Sequence, residues 1–155
     1  WAEEAKRLLA QEWGVQADVW SVTSWYELRR EAIKCDDHNF LHPEEPAQVP
    51  YVTQKLQGAE GPFIATSDYE HQVQDSIRQW VPGAYYTLGA DGFGFSDTRP
   101  AARREFKIDA ASMVVRALQA LADQGTIDRS YVKQAIDHYD LFNPNAAAPV
   151  MDVED

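Results

Sequence analysis

The feature that most constrains the fold is an alternation. Short apolar runs at Val19–Val22, within residues 61–68 and around Tyr85–Leu88 each give way, within a few polar or turn residues, to apolar residues at helical spacing. The first run hands over at Ser24, with Glu27 three residues on, a capping box. The second hands over at Ser67 or Asp68, either of which suits a helix cap, before Val73, Ile77 and Trp80 recur at helical spacing. The third runs into the segment LGADGFGFSDTRP at 88–100. Strands separated by helices must lie parallel, because only a crossover returns the chain to the same sheet edge. The expected class is α/β: a three-layer α-β-α arrangement around a mostly parallel sheet, with ligands or partners favoured at the carboxyl ends of the strands.

The remaining helices frame this pattern. Trp1, Ala5, Leu8, Leu9 and Trp13 share one helical face that Gly14 stops. After a loop punctuated by Pro43 and Pro46, Pro50 suits the first turn of a short helix reaching Leu56. A short basic helix spans 100–106. Asp109 then caps an amphipathic helix carrying Met113, Val114, Ala117, Leu118 and Leu121 and ending at Gly125. Asp128 caps the last helix, with Val132, Ala135, Ile136 and Tyr139 inward, and residues 143–155 read as a flexible tail. The opening helix has no strand before it. The expectation is a first strand upstream in a longer parent, whose loss leaves a gap in the sheet and a chain of marginal stability or one prone to self-association.

Charge narrows the partners. With 25 acidic against 14 basic residues and a formal net charge of −11, no basic surface is available for nucleic acid. No run approaches a membrane span, and a single cysteine, Cys35, rules out an internal disulfide framework. The expected location is the cytoplasm.

The glycine-rich segment invites a phosphate-site reading. Gly89, Gly92 and Gly94 run in the reverse of the dinucleotide spacing, however, and Asp91 and Asp97 repel a phosphate. A structural corner fits better: Gly92 and Gly94 supply unusual backbone angles, Phe93 or Phe95 plugs a neighbouring surface, and Asp97 caps the helix entered at Pro100. Arg99, Arg103 and Arg104 then pair with carboxylates or with another subunit. Elsewhere, Cys35, His38 and His42 form C-x2-H-x3-H beside Asp36, Asp37, Glu44 and Glu45, a spacing known in zinc sites. No second Cys/His pair completes it, and a solvated helix end and loop fits better. Neither Cys35 nor Ser67 has the surroundings of a nucleophile. No catalytic, cofactor-binding or metal site is expected in this segment.

The segments DVWSVTSWYELRRE, LHPEEPAQVPYVTQ, ATSDY and LGADGFGFSDTRPAARREFKIDA, in this order and spacing, resemble the C-terminal domain of the homodimeric pyruvate dehydrogenases, in the transketolase-like thiamine diphosphate superfamily. The likeness covers residues 1–142. It implies a parent enzyme that decarboxylates pyruvate on thiamine diphosphate with Mg2+ and acetylates the lipoyl group of a dihydrolipoyl acyltransferase. It places the cofactor in domains absent here: Ala90-Asp91-Gly92 lacks the later asparagine of the diphosphate signature, the next one being Asn143. The partners implied are the rest of the parent chain, a second subunit and the acyltransferase with its lipoyl domain. Asp91, Gly92, Phe93, Gly94, Ser96, Asp97 and Arg99 become the expected positioning core of an interdomain corner. Three other readings stand beside this one: a module recruiting complex components through its acidic surface, a small doubly wound domain binding its own nucleotide, and a transketolase relative with another substrate.

Overall fold

A computed structural model describes residues 1–94 and 96–143. The element order is α1 (Ala2–Trp13), α2 (Trp25–Leu41), α3 (Tyr51–Leu56), β1 (Phe63–Thr66), α4 (His71–Asp75), a 3-10 turn (Arg78–Trp80), β2 (Tyr85–Leu88), α5 (Arg99–Glu105), α6 (Ala110–Asp123) and α7 (Arg129–His138). The class is α/β, as the alternation requires. β1 and β2 pair in parallel, with Phe63 opposite Tyr85 and Thr66 opposite Leu88.

Side-chain alternation along these strands divides the interior in two. Ile64 and Leu88 face a core built from Ala5 and Leu9 of α1, Met113, Val114 and Leu118 of α6, and Ala135 of α7. Phe63, Ala65 and Tyr85 face the other side, against Val52, Ile77 and Val81 with Trp25, Leu28 and Leu56. The sheet is therefore the middle layer, with α1, α6 and α7 on one face and α2, α3 and α4 on the other. α6 is the most deeply seated helix: Val114, Leu118 and Ala120 have essentially no exposure.

The local signals at several helix ends are realised. Gly14 closes α1 at φ 67°, with its N–H on Leu9 O. Ser24 Oγ accepts from Glu27 N at 3.2 Å, Asp109 Oδ1 from Ser112 N at 3.0 Å and Asp128 Oδ1 from Ser130 N at 2.8 Å.

Three expectations fail. Val19–Val22 forms no strand: a strand exists only through its ladder, and no described backbone pairs with it, so Trp20 is left 60% exposed. Neither Ser67 nor Asp68 caps α4, which begins only at His71; Ser67 Oγ instead accepts from Tyr69 N at 2.9 Å, a local turn that delays the helix. Asp97 does not cap α5 either. Its Oδ1 takes Thr98 N, and Thr98 Oγ1 accepts from Ala101 N, because the helix starts one residue earlier than Pro100 suggests. The tail expected from 143 lies, beyond Asn143 itself, outside the described residues.

Candidate functional site

The carboxyl ends of β1 and β2 lie side by side, so the turns that follow them, 67–71 and 89–91, meet. Ser67 N donates to Leu88 O at 3.2 Å and Ala90 N to Tyr69 O at 2.9 Å, extending the ladder beyond the strands. Gly89 is required at this crossing by space rather than by backbone angle. A Cβ there would stand 2.6 Å from His71 N, 2.8 Å from Tyr69 O and 2.9 Å from Glu70 C. All three are backbone atoms that no rotamer change can move.

Asp91 completes the latch. Its Oδ1 accepts from His71 N, the first amide of α4, at 2.9 Å, and its Oδ2 lies 2.7 Å from His71 Nδ1. The backbone N–H of His71, and then the imidazole, hold the Asp91 carboxyl below its ordinary pKa. Beneath the latch lies Gln74, with no exposed surface. Oriented by its surroundings, its amide donates to Glu70 O and His71 O at 2.8 and 3.0 Å and accepts from Ser67 N at 3.1 Å. A buried glutamine thus adds side-chain hydrogen bonds to the backbone of this turn, and its own amide is satisfied there.

Beyond Asp91 the loop leaves the body of the fold. Gly92 takes φ +101°, a left-handed angle that favours glycine, whereas Gly94 does not take the unusual angle expected of it and has open space where a Cβ would stand. Phe93 is fully exposed and plugs nothing among the described residues, and Phe95, the other phenylalanine expected to plug a neighbouring surface, lies outside them. Ser96, Asp97 and Arg99 are exposed, and among the described residues Arg99 has no ionic partner. The neighbouring arginines are engaged. Arg103 reaches Asp68 at 3.3 Å and lies over the Trp1 ring, 5.6 Å from its centroid. Arg104 is buried, with Nε on Asp109 Oδ2 at 2.6 Å and Nη1 on Tyr139 O at 3.0 Å, binding α5 to α6 and to the end of α7.

The sequence-derived set therefore divides. Asp91 is gathered into the corner, while Gly92, Phe93, Gly94, Ser96, Asp97 and Arg99 form an outward arm without mutual side-chain contacts among the described residues. His71, Gln74 and Tyr69 escaped sequence reasoning, and Gly89 figures there only in the glycine spacing, not as a tight crossing. Only the coincidence of two strand ends could have signalled them, and that is a tertiary fact. Cys35 offers no chemistry: it is buried, its thiol donates to Glu31 at 3.4 Å, and desolvation pushes its pKa up.

The family model described as Transketolase-like TK C-terminal domain matches residues 1–109, from α1 through the corner and up to the α6 cap. This chain belongs to that family. The sheet and the corner at its strand ends are thus features of a transketolase-like C-terminal domain. Its relatives include a protein named Pyruvate dehydrogenase E1 component from Mycolicibacterium smegmatis, 56% identical over 146 residues, and its namesake from Mycobacterium tuberculosis, 55% identical over 148. The Escherichia coli K12 protein of the same name is 42% identical over 149 residues. These matches cover 93–96% of this chain but only 16–17% of the relatives' length. No helix among the described residues is long and apolar enough to cross a membrane.

Proposed function

We propose that residues 1–142 are the C-terminal domain of a pyruvate dehydrogenase E1 component, acting in a homodimeric parent enzyme of the cytoplasm. The observation that carries this reading is the 56% identity to a protein of that name across 94% of the chain. In the proposed parent, thiamine diphosphate and Mg2+, held by other domains, supply the decarboxylation chemistry, and the acetyl group passes to the lipoyl group of a dihydrolipoyl acyltransferase. The residues of this domain have a different task. His71, Asp91, Gly89 and Gln74 fix the corner rigidly, and the corner projects Phe93 and Arg99 toward another domain or the second subunit. A fully exposed phenylalanine, and on the same loop an exposed arginine with no ionic partner among the described residues, suit that task, since both residue types are enriched where proteins meet.

The test compares the full-length parent with the same chain lacking this segment, both supplied with pyruvate, a lipoyl domain, thiamine diphosphate and Mg2+. The expected result is acetylation by the first, lost together with dimerisation in the second. A folded, cofactor-loaded parent inert toward pyruvate would refute the substrate. A truncated chain that stays dimeric and active would refute the domain's role.

A further inference from the structure

We propose that the carboxyl end of α2 is a binding site for a divalent transition-metal ion of the zinc type, formed by His38, His42, Glu44 and Glu45. His38 and His42 are one helical turn apart, so their imidazoles stack over one another, with ring centroids 4.7 Å apart. The ligand atoms of His42, Glu44 and Glu45 lie within 4.8 Å of one another, and His38 joins this set through Glu45.

The loop after α2 brings the carboxylates to that point. Glu45 Oε2 stands 3.4 Å from His38 Nε2, and its Oε1 stands 3.6 Å from His42 Nδ1; Glu44 Oε1 is 4.0 Å from the same nitrogen. Bonds of about 2.0–2.1 Å to a tetrahedral ion imply ligand-to-ligand separations of about 3.4 Å. The two shorter separations are close to that edge length, and none of the three has the geometry of a hydrogen bond. His38 Nδ1 is buried and without a hydrogen-bond partner, which leaves Nε2 as the outward ligand atom.

The cradle is held in place independently of any ion. Asn39 grips the returning loop through both amide atoms, donating to Gln48 O at 2.9 Å and accepting from Gln48 N at 2.7 Å. Glu45 N closes a turn on His42 O at 3.1 Å. The site also lies at the negative end of the macrodipole of a seventeen-residue helix, where a cation is favoured. A mixed imidazole and carboxylate set selects a borderline ion such as Zn2+ over Mg2+ or Ca2+, which take oxygen ligands. Cys35, which the sequence spacing grouped with these histidines, is not a ligand, since its thiol faces Glu31.

The probe is Zn2+, titrated calorimetrically into the chelator-stripped chain at neutral pH with Mg2+ in large excess. The expected result is one ion per chain, with binding weakened at least tenfold by His38→Ala and by His42→Gln. Cys35→Ser and His138→Ala leave it unchanged. Far-UV circular dichroism of each metal-free variant establishes that it is folded, and His42→Gln preserves side-chain bulk where truncation disturbs the loop. Binding that survives both histidine substitutions, that is lost in Cys35→Ser or His138→Ala, that Mg2+ abolishes, or that fails to appear would overturn the proposal.

Discussion

Gly89→Ala isolates the corner as a steric fact. The added methyl carbon would lie 2.6–2.9 Å from His71 N, Tyr69 O and Glu70 C, against an ordinary van der Waals separation of 3.4 Å or more. Because the obstacles are backbone, relief requires the 67–71 turn to move away from β2. That motion breaks the bond from Ala90 N to Tyr69 O and loosens Asp91 from His71 N. Overpacking of this kind costs about 1–3 kcal/mol and a lost hydrogen bond about 1 kcal/mol, giving roughly 2–4 kcal/mol in total. For a domain of this size that corresponds to a fall in Tm of about 5–15 °C. Thermal melting by circular dichroism measures it, with Gly94→Ala as the control, since no atom lies within 4 Å of a Cβ there and its φ is ordinary. If Gly89→Ala melts with the parent, or no earlier than Gly94→Ala, the tight crossing of the two turns is wrong.

Three further outcomes are expected. Arg104→Met strands the buried Asp109 carboxylate and removes the clamp on Tyr139 O, costing about 3–5 kcal/mol in urea unfolding; a loss below about 1 kcal/mol would mean that the pair is solvated. The folded-state pKa of Asp91 is depressed, so its stabilisation is complete above the unfolded value near 3.8 and disappears as the pH falls through the lower folded value. The Tm difference between the parent and Asp91→Asn should therefore be present at pH 6 and shrink below pH 3.8; a difference that grows on acidification contradicts the latch. Trp20→Ser should shift stability by no more than about 0.5 kcal/mol in urea unfolding, because Trp20 stands 60% exposed outside any strand; a loss of 2 kcal/mol would restore a buried role.

What was legible in the sequence was what is local. The α1 face with its Gly14 stop, the Ser24, Asp109 and Asp128 caps, and the apolar runs at β1 and β2 each carry their cause within a few residues. The capping of α3 and α4 does not, although Pro50 marks the place where α3 begins. Neither α3 nor α4 has a side-chain cap of its own. Tyr51 N is satisfied by Glu31 and His71 N by Asp91, each twenty residues away in sequence. No local pattern announces such a cap, and for α4 attention fell on the nearer Ser67 and Asp68. The Val19–Val22 run failed for a related reason: its apolar residues satisfy the composition of a strand, but pairing is decided by what lies alongside. In the corner, Asp91 stood out by its neighbours in the motif, whereas Gln74 looked like an ordinary helix residue until two strand ends closed over it.

The claim that the corner projects an assembly surface is tested most directly in the full-length parent by sedimentation equilibrium of Phe93→Ala/Arg99→Ala, alongside its thiamine diphosphate affinity. The account predicts weakened dimerisation or loosened docking of this domain, while the protein that remains assembled binds the cofactor as before. A variant that stays fully dimeric and docked but binds the cofactor far more weakly would contradict it.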